Sequence, residues 1–119
     1  MLNPNDVAFA LNTTSALNLA IKGFLRERDH VICTNIEHNS VRRPLEYLKQ
    51  TKQVDLTYLE CDLSGRISLE ALEKAITPRT RLLVINHSSN LLGNILPIEE
   101  MCSIAKSRGV ATLIDAAQT

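Results

Sequence analysis

The chain has no tryptophan, two phenylalanines, two tyrosines and only four glycines in 119 residues. So few rings leave little to sandwich a flavin, and no glycine-rich loop follows the first apolar segment to cradle a dinucleotide's phosphates. Thirteen basic side chains balance thirteen acidic ones and neither sign forms a long run, so neither nucleic acid nor an anionic membrane is an expected partner. No apolar stretch approaches the length of a membrane span, and the first residues lack a signal peptide's basic-then-apolar pattern. The expected location is the cytoplasm. Cys33, Cys61 and Cys102 are odd in number and fall in no metal-ligand spacing, so no metal is expected. Each lies in or beside an apolar segment, where a reduced, buried and inert thiol is expected.

What the chain does have is apolar content of 45%, enough for the core of one domain, arranged as short β-branched runs alternating with stretches of helical period. Residues 7–10 read as a strand, and 14–24 as a helix with Ala16, Leu17, Ala20, Ile21 and Phe24 on one stripe. A strand at 31–34 precedes a helix marked by Val41, Leu45 and Leu48, with Pro44 tolerable only in its first turn. Residues 56–59 form the next strand and 62–65 a turn. Ser68, Leu69, Glu70, Leu72 and Ile76 then mark a helix stopped by Thr77-Pro78. A strand at 82–85, a helix at 98–108 closed by Gly109 and a strand at 112–114 complete the series. Such alternation implies an α/β fold of three layers around a mostly parallel sheet.

The candidate residues all fall where a strand ends, the face on which open α/β sheets hold ligands. Asn12-Thr13-Thr14-Ser15 brings hydroxyls and backbone N–H groups to a helix N-terminus, which suits an anion and equally suits an ordinary Ser or Thr cap. His38 could stack on a flat ligand, donate to it or cap a turn. Glu37 reads as a solvated carboxylate at a loop edge, without a catalytic role. His87 is as well explained by packing as by a ligand. Asn90 lies among small residues, where its amide could approach a ligand oxygen or simply serve a turn. Asp115 ends an apolar run, and a carboxylate buried there needs a cationic partner.

Four ordered blocks carry a family resemblance over essentially the whole chain. They are Asn-Thr-Thr-Ser-Ala-Leu-Asn-Leu-Ala-Ile from Asn12, Ile-Glu-His-Asn-Ser from Ile36, Asn-His-Ser-Ser-Asn-Leu-Leu-Gly from Asn86, and Ile-Asp-Ala-Ala-Gln-Thr from Ile114. Together they resemble the class V aminotransferase and cysteine desulfurase family of fold type I, whose cofactor is pyridoxal 5'-phosphate. The resemblance implies that Thr14, with Thr13, binds the cofactor phosphate and that His38 stacks on the pyridine ring. It implies that Asn90 hydrogen-bonds the phenolic oxygen with help from Gln118, and that Asp115 pairs with the ring nitrogen. His38 and Asp115 are thereby the catalytic candidates. The implied substrate is a small amino acid such as cysteine, and the implied partners are a second copy of the chain and a sulfur-acceptor protein.

By the same resemblance, residues 1–119 are expected to be part of the large domain, ending before the lysine that holds the cofactor covalently. Lys22, Lys49, Lys52, Lys74 and Lys106 lie in or next to helices, away from the strand ends, and none is assigned that role. Ser15 stands where many desulfurases carry an acidic residue. The chain on its own is expected to be inactive and either to associate or to re-pair its own strands. Two other readings stand beside this one: a non-catalytic α/β module that keeps a phosphate or cofactor pocket, and a flavodoxin-like or nucleotide-binding domain.

Overall fold

The computed structural model describes residues 3–62, 64, 66–87 and 97–117. After a 3-10 turn at Pro4–Asp6, the elements are α1 (Thr13–Phe24), β1 (His30–Thr34), α2 (Asn39–Thr51), β2 (Asp55–Leu59), α3 (Leu69–Ala75), β3 (Thr80–Asn86), α4 (Ile98–Ser107) and β4 (Ala111–Asp115). The strands form one parallel sheet in the order β2-β1-β3-β4.

The sheet separates two cores, as the alternation of side chains along buried strands requires. Val31 and Cys33 of β1, with Leu82 and Val84 of β3, pack against Leu17 and Ile21 of α1 and Val41, Leu45 and Leu48 of α2. Ile32, Leu83 and Ile85 point the other way, onto Leu72 of α3 and Met101 and Ala105 of α4. The expected three-layer α/β architecture is therefore present.

Those faces explain the path of the chain. A crossover of fixed hand obliges the chain to change face when it reverses direction along the sheet. From β1 it moves outward to β2 through α2 on one face, then returns past β1 through α3 on the other, and continues through α4 to β4. The helices that follow β1 and β3, α2 and α4, thus lie on opposite faces, and the carboxyl ends of these neighbouring strands form the switch point where such sheets hold ligands.

Three local expectations are corrected. Residues 7–10 are not a strand: they pair with none of the four described strands, Val7 is 51% exposed and Phe9 99%. Apolar content without a ladder partner leaves backbone groups to water and does not make a strand. Pro44 lies in the second turn of α2, not the first. Its missing N–H removes only the bond toward Ser40's carbonyl, and the residue is buried. Of the cysteines only Cys33 is buried, while Cys61 and Cys102 are half-buried; all three are free thiols, and burial pushes the Cys33 thiol far above its ordinary range.

Candidate active site

The first component is the N-terminus of α1. Asn12 caps it, its Oδ1 accepting from Ser15's backbone N–H at 2.8 Å, so the cap comes from an asparagine and not from the Ser or Thr hydroxyls. Thr13 and Thr14 fill the first two helical positions, where N–H groups have no intrahelical acceptor and the helix dipole favours an anion. Both side chains line a crevice.

The second component follows β1. His38 is the N-cap of α2 and its Nδ1 accepts from Ser40's backbone N–H at 3.1 Å. A ring nitrogen that accepts leaves the ring proton on Nε2 in the neutral form, available to a ligand. The imidazole therefore both caps its helix and faces the crevice.

The third component is Asp115, the last residue of β4 and 6% exposed. The ladder pairs it with Asn86 at the end of β3, and its Oδ1 accepts from Ala117's backbone N–H at 3.1 Å. Its carboxylate borders a cavity of about 350 Å³, shared with Asn12, Thr13, Thr14, His38, Ser40 and Asn86. That volume lies within the usual range for small-ligand sites, roughly 300–1,000 Å³. A neighbouring cavity of about 440 Å³ shares Thr14, His38 and Ser40 and extends along α1 and α2 to Lys22, Arg43 and Tyr47.

Four of the six residues singled out from sequence, Thr13, Thr14, His38 and Asp115, thus border one cavity. Asn90 and Gln118 lie outside the described residues. His87 is half-buried, its N–H donating to Asp115's carbonyl at 3.0 Å, and it does not border the cavity. Nor does any lysine: Lys22 stands 4.6 Å over the Tyr47 ring and Lys74 pairs with Glu70 at 3.0 Å.

Glu37 departs most from expectation. It is not a solvated loop carboxylate but 5% exposed, its Oε1 accepting from Thr34's hydroxyl at 2.6 Å and from Asn86's backbone N–H at 2.9 Å. Burial, partly offset by these hydrogen bonds, pushes its carboxyl up to about 7. The third histidine, His30, is buried at the far, amino end of β1. Its nitrogens meet the hydroxyls of Thr80 and Thr57 at 2.6 and 2.8 Å, and burial lowers its pKa.

The donor set fits pyridoxal phosphate. A helix N-terminus with two hydroxyls suits the phosphate, an exposed imidazole suits a planar ring, and a buried carboxylate suits a pyridinium nitrogen. The parallel α/β domain has the fold of fold type I pyridoxal-phosphate enzymes. The class V aminotransferase family model matches residues 2–119, and the chain belongs to that pyridoxal-phosphate-dependent family. It is 35% identical over 118 residues to a probable cysteine desulfurase of Halalkalibacterium halodurans, spanning 96% of this chain and 29% of that protein. Among solved structures, it is similar to the apo cysteine desulfurase of Thermococcus onnurineus, with a TM-score of 0.84, 32% identity and coverage of 92% of this chain and 28% of the other. SspA, solved in complex with cysteine, has a TM-score of 0.82 and 38% identity, covering 89% of this chain and 31% of that one. The chain therefore spans about 30% of the length of the relatives it matches.

Proposed function

We propose that this chain is the cofactor-holding part of a pyridoxal-phosphate-dependent cysteine desulfurase. The observation that carries the reading is the convergence of Thr13, Thr14, His38 and Asp115 on one switch-point cavity. The cofactor, when bound, supplies an electron sink for the substrate's alpha carbon. Thr13 and Thr14 would hold its phosphate through hydroxyls and helix N–H groups. His38 would cover one face of its ring and offer Nε2–H. Asp115, buried beside the cavity, would keep a proton on the ring nitrogen, and Asn90 and Gln118 would serve the phenolic oxygen.

Cysteine is favoured as substrate over an amino-group donor because the relatives are desulfurases and one is solved with cysteine. Three free thiols suit a reducing compartment, and we place the enzyme in the cytoplasm. The exposed apolar side chains of Phe9, Leu11 and Leu19 suit association with a second copy, and a sulfur-acceptor protein completes the proposed partners. Incubating the complete enzyme with pyridoxal phosphate and cysteine should yield sulfide and alanine in equal amounts when a reductant is present. Formation of a keto acid in place of alanine would favour transamination, and failure to retain the cofactor would overturn the reading.

A further inference from the structure

Resting on that reading, we propose that Glu37 is a positioning residue of the cofactor site: its Oε1 fastens the ends of β1 and β3 beneath His38, and it carries its own proton, which leaves Asp115 as the carboxylate that borders the cavity.

The geometry begins with the short segment between β1 and α2. Glu37 folds down onto the strand ends instead of out to water, and one oxygen accepts from two of them, from the Thr34 hydroxyl on β1 and the Asn86 N–H on β3. Asn86 is the ladder partner of Asp115, so Glu37 is one backbone unit away from the strand that ends in the catalytic candidate. The residue after Glu37 is His38, whose cap on α2 aims the imidazole at the cavity. A single carboxyl group therefore links the supports of both catalytic candidates.

The second oxygen indicates the protonation state. Among the described residues, Oε2 is buried without a hydrogen-bond partner, and neither ion pair involves Glu37. A charged carboxylate with one oxygen stranded in the interior is costly, whereas the neutral acid needs no countercharge. Among the described residues, the titratable groups that face it are Asp115 from β4, Cys33 from β1 and Cys61 beyond β2, and none is cationic. The Asp115 carboxylate adds to the cost of a second charge on Glu37. Asp115 borders the cavity, where a cationic ring can meet it, and Glu37 does not, so the proton resides on Glu37. The raised carboxyl value agrees with this arrangement.

The test uses the complete enzyme with 13C-labelled glutamate, first without cofactor. The carboxyl resonance missing from Glu37→Gln identifies Glu37, and in the wild type it should titrate near neutrality. With pyridoxal phosphate added at pH 7, Glu37→Gln, which mimics the neutral acid, should hold the cofactor within ~3-fold of wild type, and Glu37→Ala should hold it ~10-fold or more weakly because two donors lose their acceptor. A merely structural carboxylate would titrate near 4.5, and Gln would not rescue. Either result in a wild type that retains cofactor overturns the role given to Glu37. A wild type that retains no pyridoxal phosphate overturns the functional reading instead, whatever Glu37's titration.

Discussion

Each of the chain's three histidines is given its task by position. His30 is buried between two threonine hydroxyls at the amino end of β1, His87 is held through its backbone to Asp115, and His38 faces the cavity. His38→Ala should therefore shift the bound cofactor's absorbance maximum and weaken its retention, since a flat neighbour and a donor are both lost. His87→Ala should change neither by more than about a tenth of that effect; equal effects from the two would move the stacking role away from His38. Acid stability also divides between residues. Glu37's carboxyl is raised above its unfolded value of 4.5, so its contribution is fully present below that pH and fades as pH climbs through about 7. His30's pKa is lowered from 6.5, so its contribution is present above 6.5 and fades as pH falls toward its lower folded value. Urea unfolding of wild type and Glu37→Gln at pH 5.5 and 8.5 separates them: Glu37→Gln should remove a loss on the alkaline side of about 2 kcal/mol. An unchanged pH dependence would place Glu37 in water. Its burial was not legible in the sequence, because its environment is made by Asn86, far along the chain, and no local pattern announces that contact.

Among the elements, four strands and four helices were legible for a physical reason. β1 is buried at every position and β3 at all but Arg81, so both read as short apolar runs, while the helices bury one stripe each and show the 3.6-residue period. What failed was non-local. Residues 7–10 have strand composition but no described strand to pair with, and Pro44 is accommodated, buried, in a second turn. Caps decide the helix starts, and they separate stability from function. Asn12 caps α1 at the cavity, and Ser68 caps α3 on the opposite face, its Oγ accepting from Ala71's N–H at 3.1 Å. Asn12→Ala and Ser68→Ala should each cost about 1 kcal/mol in thermal or urea unfolding. Only Asn12→Ala should also weaken pyridoxal-phosphate retention, measured by dialysis and absorbance. Equal retention in both variants would detach the α1 N-terminus from the phosphate.

At the scale of the whole molecule, topology assembles the site. The order β2-β1-β3-β4 puts β1 and β3 side by side although α2, β2 and α3 intervene in the chain, and so brings the carboxyl ends of β1, β3 and β4 to one edge, with the ends of β3 and β4 bordering a cavity beside the start of α1. Thr13 and Asp115, at opposite ends of the sequence, thereby border one cavity. The motif blocks were legible one by one, but their meeting place depends on the sheet order, which no block contains. The same topology makes Asp115 the central electrostatic element: a buried carboxylate aimed at a cavity that lacks any lysine. Replacing it with Ala in the complete enzyme should slow turnover ~10²-fold or more, the scale of losing one preorganised charge partner. The most direct measurement is the 15N resonance of ring-labelled pyridoxal phosphate bound to wild type and to Asp115→Ala at neutral pH. The account predicts a protonated ring nitrogen in the wild type and an unprotonated one in Asp115→Ala; the same protonation state in both would contradict it.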